Sequence, residues 1–522
     1  MLHYTTAPNL ARDRMRIDGK REAIFDYDNQ RHYTYNELYA RSDRLASFLL
    51  HQLDMKKGDR IAFCATNSVA HIDAFYASLK TGYIITTYNH MLSVNELSQF
   101  LMKETPKVLF YTSGVSKLMA KIKVKHDLAI QYISLDSTPM DGEEYCYNDI
   151  MAFEAKPIPE EMTPDFEDTQ MLIHTGGTTG LPKAAVISYR SLFFNTVGAV
   201  FSFGLSMLDS THVMLPLFHT AAWNVLTLPV LHIGGRLIIT SGCYAETSLK
   251  IIAEEKPTVL MSVETLYLNI AEHPNFAGTD FSSLRFLISG AAPISQKLMN
   301  IYWKRGIKLV NGYGMTEIGP TNIATPVNSM SIEEIKAKGA TAGKPLFFNN
   351  VRIVDEDGQD VPDGEDGELI FQGELSFSGY WMDQKSADEI SKDGWIYSGD
   401  IGCRDSEGFY YIRGRKKNMF ISGGENIYPI EIEQVLINLD SVLDACVIGI
   451  PDTRWGEVGK ALVVKRPDVD IDEDSLMQAL SKQLSKVKRP KCIQFVDNIP
   501  KNSIGKLDFK QIYAQYGVKS SN

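Results

Sequence analysis

The chain has 522 residues, enough for several structural units that each bury a core of their own. Hydrophobic residues make up 44% and charged residues 22% of it, an ordinary globular balance that excludes a disordered, collagen-like or coiled-coil chain. Lysine and arginine number 53 against 64 aspartate and glutamate residues, so the net charge is −11. An acidic chain of this kind lacks the basic face that general nucleic-acid binding requires.

The cysteines and the apolar segments favour a cytoplasmic protein. The six cysteines lie far apart and form no C-x-x-C pair, which disfavours both a zinc site and a disulfide framework. The N-terminal residues lack the apolar core of a secretory signal. The most apolar stretch, residues 191–208, is interrupted by serine, asparagine and threonine and falls short of the roughly 18 apolar residues of a membrane span. We therefore expect a buried helix there and no integral membrane segment.

Strand-like and helix-like segments alternate over much of the first 310 residues, which indicates crossover units on a mostly parallel sheet. Near the N-terminus the pattern predicts helices over 35–53 and 69–80 and a strand over 60–65. Further on it predicts strands over 171–174, 184–188, 258–263, 284–289 and 307–310, and helices over 190–208, 246–256 and 295–305. The predicted fold class is α/β, with a large N-terminal domain of parallel or mixed sheets covered by helices.

The sequence changes character after about residue 341, where Asp-Gly pairs become frequent and indicate hairpin turns. We predict a β-rich subdomain over 341–415, which completes a large domain of residues 1–415. The acidic run at 355–368 lacks the spacing of a calcium loop and is explained by solvent-exposed hairpins. From 416 to 522, helices over 429–438 and 474–487 and strands over 444–450, 460–465 and 492–496 predict a small α+β C-terminal domain.

The strongest signal is the segment TGGTTGLPK at residues 175–183, directly after a predicted strand. Its glycines allow backbone N–H groups to converge on an anion, its threonine hydroxyls add donors, and Lys183 adds a positive charge. It is not a Walker A loop, because Pro182 precedes the lysine and Ala184 follows it, and it lacks the G-x-G-x-x-G of dinucleotide folds. A flexible linker seldom lies between two buried strands, so we interpret the segment as a phosphate-binding loop.

A second segment, NGYGMTE at residues 311–317, follows a predicted strand, and ligands bind at the strand ends of parallel sheets. Tyr313 offers a flat face for a base, Thr316 a hydroxyl for a phosphate, and Glu317 a hard oxygen for Mg²⁺. Taken alone, the segment is explained equally well by a turn around a buried tyrosine. The segment SGAAP at 289–293 ends the preceding strand and could form the opposite wall.

Further segments carry charged groups suited to a nucleotide. YSGD ends in Asp400, whose carboxylate suits the hydroxyls of a ribose, and GRKKN contains Arg415, which suits a ribose or a phosphate. PKNSIGK ends in Lys506, close to the C-terminus. On its own, a lysine in such a place is most often a solvated surface residue.

Together, in this order and spacing, these segments resemble the adenylate-forming superfamily of acyl-CoA synthetases, peptide-synthetase adenylation domains and luciferases. The resemblance covers nearly the whole chain, is nearest to the fatty-acid CoA ligases, and implies ATP and Mg²⁺ as cofactors. The nucleotide-binding residues that it implies are Thr175, Gly176, Gly177, Thr178, Thr179, Lys183 and Thr316 for the phosphates, Gly290, Ala291, Asn311, Gly312 and Tyr313 for adenine, and Asp400 and Arg415 for the ribose. It also implies Glu317 as the Mg²⁺ ligand.

The same resemblance implies the catalytic roles. Lys506 matches the lysine that bridges the carboxylate and the α-phosphate during adenylation, on a small domain that moves about a hinge near Lys417. Attack of a carboxylate on a phosphate brings two anions together, so a cation and a metal must offset their repulsion. The resemblance also implies catalytic roles for Thr316, Glu317 and His219, and it places His219 beside the acyl carboxylate. Without the resemblance, His219 would be interpreted as a core histidine.

The acyl pocket is expected near His219, Trp223, Ser289 and Gly312. Trp223 resembles a gating tryptophan of some long-chain fatty-acid members, and a plain core aromatic explains it equally well. Because residues 218–224 are largely apolar, we expect a fatty acid as the substrate, with aryl acids left open.

The small domain indicates coenzyme A as the acceptor. The segments ISGGENIYP at 421–429 and PDTRWGE at 451–457 resemble those of CoA ligases, in which Gly424 leaves room for the pantetheine arm and Trp455 packs against it. The chain departs from the family pattern where His174 and Gly176 replace commoner serines, and where an arginine is missing shortly after Lys506.

The expected function is AMP-forming acid–CoA ligation, in which a carboxylic acid, ATP and CoA give acyl-CoA, AMP and pyrophosphate through an acyl-adenylate. One alternative is transfer of the acyl group to a carrier-protein thiol. A non-catalytic nucleotide-binding protein is the other, although such a protein would have lost one of its key residues. The expected partners are these small molecules, with a homodimer left open.

Overall fold

A computed structural model describes residues 6–136, 139, 145–176, 182–467, 469, 471–501 and 507–517. Gly177, Thr178 and Thr179 of the predicted phosphate loop, and the predicted catalytic residue Lys506, lie outside the described residues. The fold is mixed α/β with a large N-terminal and a smaller C-terminal domain, which confirms the predicted fold class. Among the described residues, none of the helices has the length and hydropathy of a transmembrane span.

The strands, in chain order, are β1 (Glu22–Asp26), β2 (Arg31–Thr34), β3 (Arg60–Cys64), β4 (Ile84–Thr87), β5 (Val108–Tyr111), β6 (Gln131–Ser134), β7 (Thr169–Thr175), β8 (Lys183–Ser188), β9 (Ser210–Val213), β10 (Arg236–Ile239), β11 (Val259–Ser262), β12 (Phe286–Ser289), β13 (Leu309–Tyr313), β14 (Ile323–Ala324), β15 (Lys344–Pro345), β16 (Asn349–Val354), β17 (Gly367–Gly373), β18 (Ser391–Lys392), β19 (Trp395–Arg404), β20 (Tyr410–Arg415), β21 (Phe420–Ser422), β22 (Glu425–Ile427), β23 (Val442–Asp452), β24 (Gly456–Lys465) and β25 (Cys492–Phe495).

The α-helices are α1 (Leu10–Asp18), α2 (Tyr35–His51), α3 (Val69–Thr81), α4 (Val94–Glu104), α5 (Ser116–Lys125), α6 (Tyr147–Ala152), α7 (Tyr189–Phe203), α8 (Leu228–Ile233), α9 (Ala245–Glu255), α10 (Glu264–Glu272), α11 (Gln296–Trp303), α12 (Ile332–Lys338), α13 (Gln384–Ile390), α14 (Pro429–Ile437), α15 (Glu473–Gln483) and α16 (Phe509–Tyr516). Short 3₁₀ turns include Thr316–Ile318 and Lys416–Asn418, and a π-helix spans Ala222–Thr227.

The large domain contains a six-stranded sheet of order β6-β5-β3-β4-β7-β8, a four-stranded sheet of order β2-β1-β10-β9, and a five-stranded sheet of order β11-β12-β13-β14-β15. Strands β16 to β20 form the β-rich sheet, and β21 to β25 form the sheet of the small domain. Helix α3 lies in the largest core cluster and is buried along its whole length. Its charged side chains are buried with partners, since Asp73 pairs with Arg41 and Lys80 with Asp43, each at 2.6 Å.

The predicted elements agree with the structure to within a few residues, with two informative differences. Helix α7 ends at Phe203 rather than at residue 208, because Gly204 adopts a left-handed conformation (φ 53°) that caps the helix. Strands β7 and β8 pair antiparallel, with Thr175 opposite Lys183, so the predicted phosphate loop joins the two predicted strands as a hairpin rather than within a parallel crossover.

The ends of several strands converge on one region of the molecule. Strand β12 pairs parallel with β13, and β13 ends at Tyr313, close to the paired strands β19 and β20 of the β-rich sheet. The small domain contacts the large one through Arg466, which lies 2.8 Å from Glu272, and through the backbone N–H of Lys297, which donates to Asn438 at 3.1 Å. The packing therefore brings together segments that lie far apart in the sequence.

We predict that Gly343→Ala destabilises the fold beside this region. Gly343 has φ +111°, and an added Cβ would lie 2.0 Å from the backbone of Ala324 in β14, which continues the sheet from β13. The clash and the strained backbone should cost about 3 kcal/mol, and a fall of about 5 °C in the thermal unfolding midpoint is the expected readout. The control is Gly114→Ala, where the added methyl meets open space. Equal midpoints for the two variants would contradict the prediction.

Candidate functional site

The predicted base- and ribose-binding residues lie together. The hydroxyl of Tyr313, at the end of β13, donates to Asp400 Oδ2 at 2.6 Å. Asp400 lies directly opposite Arg415 in the β19–β20 pair, and Arg415 Nε is 2.9 Å from Asp400 Oδ1. The carboxylate is buried, whereas the guanidinium is 44% exposed. The three side chains form one cluster, which we call the Asp400 cluster.

The hydrogen bond from Tyr313 to Asp400 requires a neutral tyrosine. Burial, with the nearby Asp400 charge as a further cause, raises the pKa of Tyr313 well above its ordinary value, so the phenol keeps its proton and donates. The Phe371 ring stacks on Tyr313 at 5.9 Å between centroids and fixes the plane of the phenol.

Glu317 forms a second buried carboxylate site. It lies in the 3₁₀ turn Thr316–Ile318, and its Oε1 accepts a hydrogen bond from the hydroxyl of Tyr380 at 2.6 Å. The side chain of Thr175 also lies beside Tyr380, and Lys183 Nζ lies 5.3 Å from the centre of the Tyr380 ring. The tyrosine thus joins both ends of the predicted phosphate loop to Glu317.

The chemistry of this group suits a magnesium ion that is shared with a triphosphate. Burial, and then the charge of Glu317, raise the pKa of Tyr380, so its hydroxyl remains a donor. In the described part of the chain, no hydrogen bond reaches Oε2 of Glu317, and no group of three or more His, Cys, Asp or Glu side chains could hold a metal. Mg²⁺ commonly takes one or two protein carboxylates and completes its shell with phosphates and water, which fits a single buried glutamate.

Residues 289–293, which the sequence predicts as the opposite wall, begin with a buried hydroxyl that lacks a partner among the described residues. Ser289, at the end of β12, is fully buried, and its Oγ has no hydrogen-bond partner among the described residues. A buried hydroxyl in this state suits a polar atom of a bound molecule. Asn311 is committed to the fold, since its Oδ1 accepts from the backbone N–H of Ile294 at 3.0 Å. Gly290 is buried, and Ala291 is exposed with an unusual φ of +69°.

The predicted acyl pocket borders the π-helix Ala222–Thr227. Phe218 packs on His219 with ring centroids 4.5 Å apart. Trp223 is fully buried, donates from its indole N–H to the carbonyl oxygen of Leu217 at 2.6 Å, and stacks on Phe75. These contacts are those of a core aromatic residue. π-helical turns are rare and occur often at functional sites, and this one begins three residues after His219.

The predicted CoA and hinge residues are on the surface. Gly424 (φ 89°), Trp455 and Lys417 are exposed, and Lys417 lies in the 3₁₀ turn Lys416–Asn418 between β20 and β21. A Cβ at Gly423 would lie 2.7 Å from the indole of Trp455, so the two segments predicted to bind pantetheine contact each other.

Sequence reasoning missed Tyr380 and Phe371. Tyr380 lies 63 residues from Glu317 and belongs to none of the recognised segments, and Phe371 is one apolar residue in a strand of apolar residues. Local sequence carries no signal for either, because their roles arise from the packing of β17 and of residues 375–381 against the turn at Thr316–Ile318.

Family models match most of the chain. The AMP-binding enzyme family matches residues 12–381, and the AMP-binding enzyme C-terminal domain matches residues 431–506. A feruloyl-CoA synthase of an Amycolatopsis species is 34% identical over 93% of this chain and 94% of its own length. An indoleacetate–CoA ligase of Aromatoleum aromaticum is 30% identical over 93% of this chain and 94% of its own length. A long-chain-fatty-acid–CoA ligase of Escherichia coli is 29% identical over 91% of this chain and 88% of its own length.

Solved structures agree with the family match. An o-succinylbenzoate CoA synthetase from Bacillus subtilis, in complex with its acyl-adenylate intermediate, superimposes with a TM-score of 0.85 at 27% identity and covers 97% of this chain and 98% of its own. A structure of that synthetase in complex with ATP and a magnesium ion has the same TM-score and covers 97% of this chain and 99% of its own.

We predict that Tyr380→Phe weakens the use of MgATP. Without the hydroxyl, Oε1 of the buried Glu317 carboxylate loses its donor, and the KM for MgATP should rise about tenfold. Initial rates of pyrophosphate release at varied MgATP measure the effect. The matched control is Tyr302→Phe, which removes a buried hydroxyl that donates to the carbonyl oxygen of Tyr267 at 2.8 Å, away from the site. An unchanged KM in Tyr380→Phe, or equal changes in both variants, would contradict the assignment.

Proposed function

This chain belongs to the AMP-binding enzyme family, and we propose that the acid it joins to coenzyme A carries an apolar tail, either aliphatic or aromatic. Its reaction is ATP-dependent acid–CoA ligation through an acyl-adenylate, as in the CoA ligases to which it is similar. The observation that supports the adenylation step is the contact of Tyr380 with Glu317, Thr175 and Lys183. This contact joins the proposed phosphate loop to the proposed metal ligand.

In the first half-reaction, the substrate carboxylate attacks the α-phosphorus of ATP and pyrophosphate leaves. The adenosine would be held by the Asp400 cluster, with adenine beside Tyr313 and the ribose hydroxyls on Asp400. Lys183, the threonine hydroxyls and the backbone N–H groups of the loop would hold the phosphates, with Thr316 beside them. Mg²⁺ held by Glu317 would supply positive charge where two anions approach each other.

Lys506 is the proposed cation between the attacking carboxylate and the α-phosphate. A lysine in the small domain can enter the site for adenylation and leave it afterwards, with the hinge at Lys417 and the domain boundary at residue 415. No nucleophilic side chain of the protein is required, because the carboxylate itself attacks.

In the second half-reaction, the thiol of CoA attacks the carbonyl carbon of the acyl-adenylate and AMP leaves. His219, at the edge of the proposed acyl pocket, would lie beside that carbonyl. Gly424 and Trp455 would receive the pantetheine arm. The exposure of both residues supports the assignment, since a flexible thiol arm needs an open surface along which to pass.

The apolar surroundings of His219 support the choice of acid. Phe218 and Trp223 are buried apolar neighbours, and Ser289 provides a single buried hydroxyl without a partner among the described residues. The sequence predicts a fatty acid as the substrate. Two of the relatives are named for aromatic acids, ferulate and indoleacetate. Both classes share a carboxylate on an apolar body, which is the feature that we propose for the substrate.

The proposal is tested with a panel of acids that runs from acetate to palmitate and includes benzoate, ferulate and indoleacetate. Pyrophosphate release and the mass of the thioester are followed with MgATP, in the presence and absence of CoA. We expect one apolar class to give thioester only when CoA is present. Adenylate that forms but is never captured by CoA would contradict CoA as the acceptor and favour a carrier-protein thiol.

Lys506→Ala serves as the control for the two half-reactions. It should lose acyl-adenylate formation and still convert supplied acyl-adenylate and CoA to thioester, because the second step no longer needs a cation at the α-phosphate. Equal loss of both half-reactions would contradict the role proposed for Lys506.

A further inference from the structure

A buried histidine–glutamate pair lies beside strand β7, which leads into the proposed phosphate loop. His174, the next-to-last residue of β7, has Nε2 2.7 Å from Oε1 of Glu104, the last residue of α4. The Glu104 side chain is 1% exposed and that of His174 is 10% exposed. The hydroxyls of Thr86 and Tyr88 both donate to Glu104 Oε2 at 2.8 Å. The carboxylate is therefore hydrogen-bonded on both oxygens.

The carboxylate of Glu104 is ionised despite its burial. Burial alone raises the pKa of Glu104, but the charge and hydrogen bond of His174, together with the two hydroxyl donors, outweigh it and lower that pKa below the ordinary value. The His174 ring packs between Phe100 and Tyr88, with centroid distances of 4.4 and 5.3 Å. The imidazole is thus held by a hydrogen bond at Nε2 and by aromatic contacts on its faces.

Stability alone is a weak explanation for such a pair. Desolvating a carboxylate costs as much as its hydrogen bonds return, and apolar residues of similar volume often serve a core equally well. A buried carboxylate does fix one geometry, because His174 cannot move without leaving Oε1 of Glu104 short of a donor. A pair of this kind therefore fixes the geometry of the backbone next to it.

The contacts of Thr175, the residue after His174, show which part of the chain the pair fixes. Thr175 pairs with Lys183 across the β7–β8 strands and lies beside Tyr380, whose hydroxyl donates to Glu317. The His174–Glu104 pair therefore holds the backbone from which the proposed loop departs.

We propose that His174 and Glu104 are positioning residues for the β- and γ-phosphates of ATP. They act through the backbone at Thr175 and touch no substrate atom. The inference rests on the proposed function, because it requires that residues 175–183 bind the triphosphate. Its consequence is selective: the pair supports binding of MgATP, and AMP, which has no β- or γ-phosphate, does not need it.

The test compares the affinities of the full-length protein for MgATP and for AMP by titration calorimetry, without any acid or CoA. We expect His174→Leu to weaken MgATP binding about tenfold and to leave AMP binding within about twofold of wild type. His174→Gln should restore most of the MgATP affinity, because its amide nitrogen can donate to Glu104 from near the position of Nε2. Glu104→Gln should also weaken MgATP binding, because its amide nitrogen must face either His174 or the hydroxyls of Thr86 and Tyr88, which are all donors. It provides a second route if His174→Leu fails to fold.

A control separates positioning from general packing. His232→Leu removes another buried histidine, whose Nδ1 lies 3.3 Å from the hydroxyl of Thr196 in a part of the large domain away from the loop. It should lower the unfolding midpoint without changing the ratio of the two affinities. An equal loss of MgATP and AMP binding in the His174 and Glu104 variants, or no loss at all, would overturn the proposal. Failure of the wild-type protein to bind MgATP would instead overturn the proposed function beneath it.

Discussion

Tyrosine hydroxyls hold the buried carboxylates on which the site depends. Tyr313 donates to Asp400 and Tyr380 donates to Glu317, each at 2.6 Å. A buried carboxylate costs several kcal/mol unless hydrogen bonds replace the water it loses, and a neutral phenol supplies such a bond without cancelling the charge. One oxygen is fixed in this way, and the carboxylate keeps its negative charge for a ribose hydroxyl or a metal ion.

These pairs also explain why the separate sheets must pack as they do. Tyr313 and Asp400 lie 87 residues apart and Tyr380 and Glu317 lie 63 residues apart, so each pair forms only when β13, the β-rich sheet and the loop strands are in place. The proposed site is therefore a product of tertiary packing. A substitution in the sheet beside β13 should disturb the proposed nucleotide-binding residues even where the substituted residue contacts none of them.

The sequence predicted the elements of the fold, because hydrophobic periodicity and glycine-rich turns are local features, and the same turns indicated most of the polar residues of the proposed site. The strand before the phosphate loop and helices α2, α3 and α9 were predicted to within two residues at each end. It could not predict Tyr380, since nothing near that residue distinguishes it from a core tyrosine. The antiparallel pairing of β7 with β8 was also missed, because alternating strands and helices indicate parallel crossovers by default.

The central claim is that this site activates a carboxylate as an adenylate before any thiol is involved. Exchange of isotopically labelled pyrophosphate into ATP tests it most directly, because exchange requires that the adenylation step be reversible on the enzyme. We expect exchange that depends on an apolar acid and on Mg²⁺ and proceeds without CoA. Exchange that required CoA, or acid-dependent release of ADP and phosphate in place of AMP and pyrophosphate, would contradict the account.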